Sequence, residues 1–593
     1  GDSVTLSCEV TDSSTNWTFS WYTVVPYRDG VTQIKNNHGH IMYVELLSNS
    51  SRGSGGNYTL SPSALHHTGV YVCKGERGEP VIYTLYSNPQ LLWISGESPK
   101  VSLIISPSRT QHFTRDSLSL SCEDQSNSTG WTVRRYTDSE GVLDCSWWRS
   151  VTGSTCKISL LSTSYTGVYW CESESGENSN TVNITVHERP QAVLSVSPQN
   201  WLTEGDSVTL SCEVTDSSTD WTFSWYTVVP YRDGVTQINN PDYVMYVELL
   251  SDSSRGSGGN YTFSPSALHH TGVYVCRGER EEPVSHTLYS NPQPLWISGE
   301  SPPVSLIISP SRTQHFTYDS LLLSCEDQSN STGWKVRRYT ESGVLDCTWW
   351  GSVTGSTCKI IFLSTSYTGV YWCVSESGEN SNPVNITVHG RPQAVLSVSP
   401  QNWLTEGDSV TLSCEVTDSS TDWTFSWYTV VPYRDGVTAK QNAHGFIMYV
   451  ELLSDSSRGS GGSYTLSPSA LHHTGVYVCR GERGEPVSHT LYSNPQPLWI
   501  SGESPPVSLI ISPSRTQHFT RDSLSLSCED QSNSPGWKVR RYTDSEGVLD
   551  CSQWGSVTGS TCNISFLSTN YTGVYWCVSE SGENSNPVNI TVH

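Results

Sequence analysis

The residues of greatest chemical reach in this chain are its 18 cysteines. Thiols at C-x-x-C spacing hold zinc or exchange electrons, but no two here stand closer than 11 residues, which leaves cross-linking as their chemistry. Cys73, Cys171, Cys276, Cys373, Cys479 and Cys577 each close a near-copy of Tyr165-Thr-Gly-Val-Tyr-Trp-Cys171, always with a Tyr two residues earlier. Strand residues alternate between faces, so that Tyr and its Cys point the same way. Upstream partners are expected at Cys8, Cys122, Cys212, Cys325, Cys414 and Cys528, in alternating apolar text such as Val4-Leu6-Cys8. Three more pairs nest inside every second one: Cys145 with Cys156, Cys347 with Cys358 and Cys551 with Cys562. The 11-residue separation suits a local clamp. Nine bridges then use every thiol, and each stabilises by ~2 to 4 kcal/mol against the ~5 to 15 of a typical domain.

The elements that must position these thiols are short paired strands. A Trp follows each upstream Cys after 9 to 13 residues, and Cys, then Trp, then Tyr-x-Cys is the signature of an immunoglobulin-like sandwich. The text Gly-Asp-Ser-Val-Thr-Leu-Ser-Cys begins at Gly1, Gly205 and Gly407, so one unit of two domains is written three times. The expected fold is all-β, six tandem immunoglobulin-like sandwiches in three two-domain repeats. Boundaries are expected at 1–98, 99–188, 189–300, 301–390, 391–502 and 503–593, the even domains bearing the extra disulfide. Pro190-Gln-Ala-Val and Pro392-Gln-Ala-Val supply an opening strand that the first unit lacks, so the chain reads as truncated at both ends. Pro-bearing linkers such as Ser98-Pro99 and Ser301-Pro302-Pro303 predict a semi-rigid string.

A net charge of -24 repels nucleic acid phosphates and anionic lipid. Paired cysteines place the chain in an oxidising compartment. Sequons at Asn16, Asn49, Asn57, Asn127, Asn183, Asn260, Asn330, Asn385, Asn563, Asn570 and Asn589 agree with a secretory route. Residues 392 to 502 carry none, which leaves the fifth domain the least shielded.

Trp21, Trp225 and Trp427, 13 residues past their Cys, are expected in the core. In even domains either Trp131, Trp334 and Trp537 or Val133, Val336 and Val539 take that place. Trp170, Trp372 and Trp576 precede the strand Cys and must face away from their own core. Arg134, Arg337, Arg540 and the sequon Asn183 share that outer face, so cation–π or glycan stacking is expected there before partner contact. Better candidates for ligand contact are Trp147, Trp148, Trp349, Trp350 and Trp554, in turns clamped by the local disulfide, because a pre-ordered aromatic binds at less entropic cost. Packing against a neighbouring domain explains the same residues.

Three patterns imitate other chemistry. Tyr43-Val-Glu-Leu46 and its copies match a tyrosine signalling motif, but they lie between disulfide cysteines, beyond a cytosolic kinase. His66-His67, His269-His270 and His472-His473 have no Cys or helical His to complete a metal site. Arg52-Gly-Ser-Gly-Gly lacks the Lys and helix of a phosphate loop and reads as a hairpin turn. No nucleophile elbow or acid pair appears, so neither an enzyme nor a cofactor is expected.

The text Gly167-Val-Tyr-Trp-Cys-Glu-Ser-Glu-Ser-Gly-Glu-Asn-Ser-Asn180, the Ser-Asn-Pro-Gln strand ends and the alternating two-domain plan resemble the Fc receptor-like proteins of bony fish over essentially the whole chain. The resemblance implies a leukocyte surface receptor that binds a protein ligand, immunoglobulin Fc among the candidates, multivalently, and signals through a tail or adaptor. An adhesion or spacer protein and a secreted decoy are the alternatives. Many relatives carry Asp before Thr/Ser-Gly, where this chain has Tyr165 or His67, so the salt bridge of that Asp is absent.

Overall fold

A computed structural model describes the chain outside residues 13–15, 48–55, 125–129, 149, 217–219, 240–243, 251–257, 281–283, 328–332, 419–421, 442–444, 446, 454–460, 486 and 531–535. Two compact units, Gly1–Ile297 and Ser298–His593, are described separately. Asn49, Asn127, Asn330 and most of the Arg52 turn lie outside the described residues.

Both kinds of domain are two-sheet sandwiches. The second pairs Val101–Ser106, Leu118–Asp124, Thr155–Ile158 and Ser150–Thr152 in one sheet. Gln111–Phe113, Val182–His187, Gly167–Ser173, Trp131–Thr137 and Gly141–Asp144 form the other. The fifth sets a three-stranded sheet, Ala394–Ser399, Val410–Val416 and Ser463–Leu466, against a longer one. That longer sheet includes the mid-strands Ile447–Leu452 and Thr438–Gln441, which the wider cysteine spacing accommodates. Alternation produces these faces: in Leu118–Asp124, Leu118, Leu120 and Cys122 are buried while the residues between them are not. Among the described residues no helix is long and apolar enough to cross a membrane.

Nine disulfides tie the sandwiches. The inter-sheet bridges are Cys8–Cys73, Cys122–Cys171, Cys212–Cys276, Cys325–Cys373, Cys414–Cys479 and Cys528–Cys577. The local ones are Cys145–Cys156, Cys347–Cys358 and Cys551–Cys562. Trp21, Trp225 and Trp427 lie directly across from the strand Cys and are buried. In even domains Val133, Val336 and Val539 hold that register. Trp131, Trp334 and Trp537 are buried as well, so both residues fill the core. The Tyr of each Tyr-x-Cys anchors the preceding turn: the Tyr169 hydroxyl donates to the Tyr165 carbonyl at 2.6 Å, and Tyr71 to His67 likewise. Burial pushes the Tyr169 hydroxyl up to about 12, so it remains a donor.

The outward tryptophans depart from expectation. Trp170 and Trp576 do face away from their own sandwich cores, as does Trp372, yet within their units Trp170 and Trp576 are only 2% exposed. In the first unit Trp170 joins Val24, Met42, Val70, Val72 and Trp93 of the first domain in a second apolar cluster. In the second unit Trp576 packs with Val430, Met448, Val476 and Trp499. A sequence read one domain at a time treats an outer face as wet, whereas here two outer faces close on each other. Arg134, instead of covering the indole, is bound by Asp144 at 2.8 Å and Glu172 at 2.6 Å.

Candidate ligand-contact site

In the second domain the strand Gly141–Asp144 runs into a single turn, Cys145–Trp148, pinned by Cys145–Cys156. The two tryptophans of this turn have opposite fates. Trp148 turns inward against the core and meets Tyr165 and Tyr169 edge-on at 6.1 and 6.0 Å. The buried Arg135 lies between the rings, its guanidinium 4.7 Å from Trp148 and 4.9 Å from Tyr165. Its Nε and one Nη have no hydrogen-bond acceptor, so the ring faces provide the electrostatic partner. Glu140 takes the remaining end. Tyr165, the residue before Thr166-Gly167, is thus one of the two rings that hold this guanidinium. Arg338 repeats the stack on Trp350 and Tyr367, and Arg541 on Trp554 and Tyr571. Trp350 and Trp554 also donate from Nε1 to the carbonyls of Leu345 and Leu549.

Trp148, Trp350 and Trp554 are therefore the inner members of their turns, wedged into protein. Trp147 and Trp349 are the outer members, 59% and 62% exposed. Gln553 holds the outer place in the sixth domain. Trp147 does not stand alone: it meets Tyr27 of the first domain edge-on at 6.0 Å, and Tyr27 meets Tyr43 at 5.1 Å. The result is a three-ring ladder across two domains, with Trp147 and Tyr27 exposed and Tyr43 partly buried. Tyr433 and Tyr449 keep the first two rungs at 5.1 Å in the fifth domain.

The joint beside this ladder is held by residues to which sequence reasoning gave no role. Asn180 clasps Gly96 by both ends, accepting from its N–H at 2.8 Å and donating to its carbonyl at 3.1 Å. Asn178 donates to the Leu65 carbonyl at 3.2 Å. Asn586 and Asn584 repeat both contacts on Gly502 and Leu471. The repeated Asn-Ser-Asn text was the available signal. At the next joint of the first unit, Arg189 donates to Thr114 and to Asp116, and Phe113 lies against Trp221 of the third domain. In the second unit Arg391, Asp319, Phe316 and Trp423 do the same.

The sequons within the described residues, Asn16, Asn57, Asn183, Asn260, Asn385, Asn563, Asn570 and Asn589, are all exposed. The His pairs serve their turns: Nδ1 of His67, His270 and His473 accepts the N–H of Ala64, Ala267 and Ala470. Burial, with the neighbouring His269 second, lowers His270 to about 4, which keeps it neutral and able to accept. Among the described residues no cluster of His, Cys, Asp and Glu is placed to hold a metal.

The paired sheets, the inter-sheet disulfide with its Trp and the Tyr turn define a chain of immunoglobulin-like domains. Residues 189–279 and 391–482 match the immunoglobulin domain family. Over 222 residues the chain is 25% identical to killer cell immunoglobulin-like receptor 3DL1 of Rattus norvegicus, covering 35% of this chain and 48% of that protein. Over 362 residues it is 25% identical to the B-cell receptor CD22 of Mus musculus, covering 58% of this chain and 35% of that one. The chain thus spans less than half the length of either relative. Among solved structures, the N-terminal eight immunoglobulin domains of Down syndrome cell adhesion molecule align over 97% of this chain and 80% of that one, with 13% identity and a TM-score of 0.16. Immunoglobulin domains 1–5 of Sidekick-1 align over 85% and 96%, with 14% identity and a TM-score of 0.16.

Proposed function

We propose that this chain is the extracellular part of an immune-type surface receptor of the Fc receptor-like kind, which takes a protein ligand through exposed aromatics of its disulfide-clamped turns. The observation that carries the reading is Trp147, 59% exposed although its turn is fixed by Cys145–Cys156 and by the inward Trp148. An aromatic held in place binds at low entropic cost, and such rings dominate interface energetics. Trp349 offers a second such ring, so contacts in more than one repeat add avidity. The domain limits at 98, 188, 300, 390 and 502 and the eight exposed glycan sites belong to this reading. So do a position on the outer side of the plasma membrane and a signalling segment beyond this sequence.

Immobilised chain is tested against purified immunoglobulins, Fc fragments and leukocyte-surface proteins. A ligand found this way should lose at least about tenfold in affinity with W147A/W349A, as expected for an interface anchor. Undiminished binding by that variant rules out the aromatic site.

The ordered Asn180–Gly96 and Arg189–Asp116 joints favour a second reading, an adhesion or spacer protein whose repeats set length. A secreted decoy is the soluble form of the first.

A further inference from the structure

The clamped turn of the sixth domain differs from the other two in two linked ways. Where the second and fourth domains expose Trp147 and Trp349, the sixth has Gln553. Where they have Ser164 and Ser366 in the neighbouring turn, the sixth has Asn570, which forms a sequon with Thr572. The fold brings the two positions together. Asn570 sits in the single turn Thr569–Tyr571, whose Tyr571 hydroxyl donates to the Trp554 carbonyl at 3.2 Å, with the two rings 6.4 Å apart. Asn570 itself is exposed.

Between these two turns runs a groove of about 560 Å³, walled by Asn570, Tyr571, Trp554, Gln553 and Glu546. That exceeds the ~300 Å³ at which small-molecule sites begin. Its chemistry suits a sugar: an aromatic ring takes the C–H face of a pyranose, while an amide and a carboxylate exchange hydrogen bonds with its hydroxyls. Glu546 accepts from Arg541 and still keeps 39% of its side chain exposed, so it can accept from a guest as well. The attachment point for a glycan therefore stands in the wall of a groove fitted to hold one. In the second and fourth domains a serine takes the place of that attachment point, its hydroxyl bonded to Ser162 or Ser364 at 2.7 Å, and the outer ring is left open.

We propose that an N-glycan on Asn570 lies in this groove and covers the clamped turn of the sixth domain, so that only the second and fourth turns present a surface to a ligand. In the attachment step the Asn570 amide nitrogen loses a proton and bonds to the anomeric carbon of an oligosaccharide, and the lipid diphosphate that carried the sugar leaves with the electron pair. Attachment rests on the extracellular reading, but the cover can be measured without any ligand. The whole chain is made in a glycosylating host, and mass spectrometry of its glycopeptides should find Asn570 occupied. Hydroxyl-radical labelling then reads the cover: Gln553 and Trp554 should label faster in N570Q than in wild type. N589Q, three strands away in the same sheet, should leave their labelling unchanged. S164N, which completes a sequon with Thr166, should carry the cover to the second domain and slow the labelling of Trp147. Thermal melting of each variant monitors folding. Sugar on the other sequons but none on Asn570 overturns the proposal alone, whereas a chain bare at every sequon overturns the extracellular reading with it. With the sites occupied, equal labelling of the turn in wild type and a folded N570Q, or of Trp147 in wild type and a folded S164N, also overturns the proposal.

Discussion

The indole of Trp93 in the first domain lies 5.4 Å, centroid to centroid, from that of Trp170 in the second. Trp499 and Trp576 repeat the pair at 5.2 Å. Each pair sits in an apolar cluster outside either sandwich core, so two neighbouring domains share a third hydrophobic interior.

Truncating the inner ring should therefore act on the joint rather than on one sandwich. W170A is expected to cost about 3 to 5 kcal/mol, the range for large aromatic deletions. In calorimetry the transition of the first two domains should split into two. A single transition with an unchanged midpoint would show that the domains do not share this interior.

The two tryptophans of the clamped turn should separate cleanly. W148A removes a partly buried ring packed against Arg135 and the core and should cost about 2 to 4 kcal/mol in denaturant unfolding. W147A should stay within about 0.5 kcal/mol of wild type, as for a surface substitution. Equal losses would mean that the outer ring is structural.

Loss of the clasp should loosen geometry more than stability. N180A removes two hydrogen bonds to Gly96, worth about 1 to 2 kcal/mol together. Small-angle scattering should show a broader distance distribution, while the disulfide-tied sandwiches melt as before.

Acidification should weaken the third domain. His270, packed 4.4 Å from Phe263, has its folded value lowered from 6.5 to about 4. The unfolded chain takes up the proton first, so the contribution is complete above about pH 6.5 and is lost as pH falls towards 4. After allowance for its partial exposure, the loss is about 1 kcal/mol. H270N should flatten the stability profile over that window; an identical profile in wild type and variant would remove His270 as the cause.

The sandwiches were legible in the sequence because alternation and cysteine spacing are local signals: Leu118, Leu120 and Cys122 declare a buried face without reference to anything distant. The doubly buried strand Gly69–Arg77 was not. Val70 and Val72 alternate with Tyr71 and Cys73, so one face is core by its signature and the other looks like ordinary strand surface. Only the position of a second domain makes it interior. The turn Cys145–Trp148 was half legible: its clamp and its aromatic character could be read, but not which ring turns inward. That choice is made by Arg135, ten residues upstream of the clamp and on another strand.

Phe113 of one repeat lies against Trp221 of the next, whose Arg189 reaches back to Thr114 and Asp116; Phe316, Trp423, Arg391, Thr317 and Asp319 repeat the arrangement. Both halves of this connector are written inside the repeating unit. A unit added to or removed from such a chain therefore carries its matching contact with it, so the number of repeats can change without a new interface having to be fashioned.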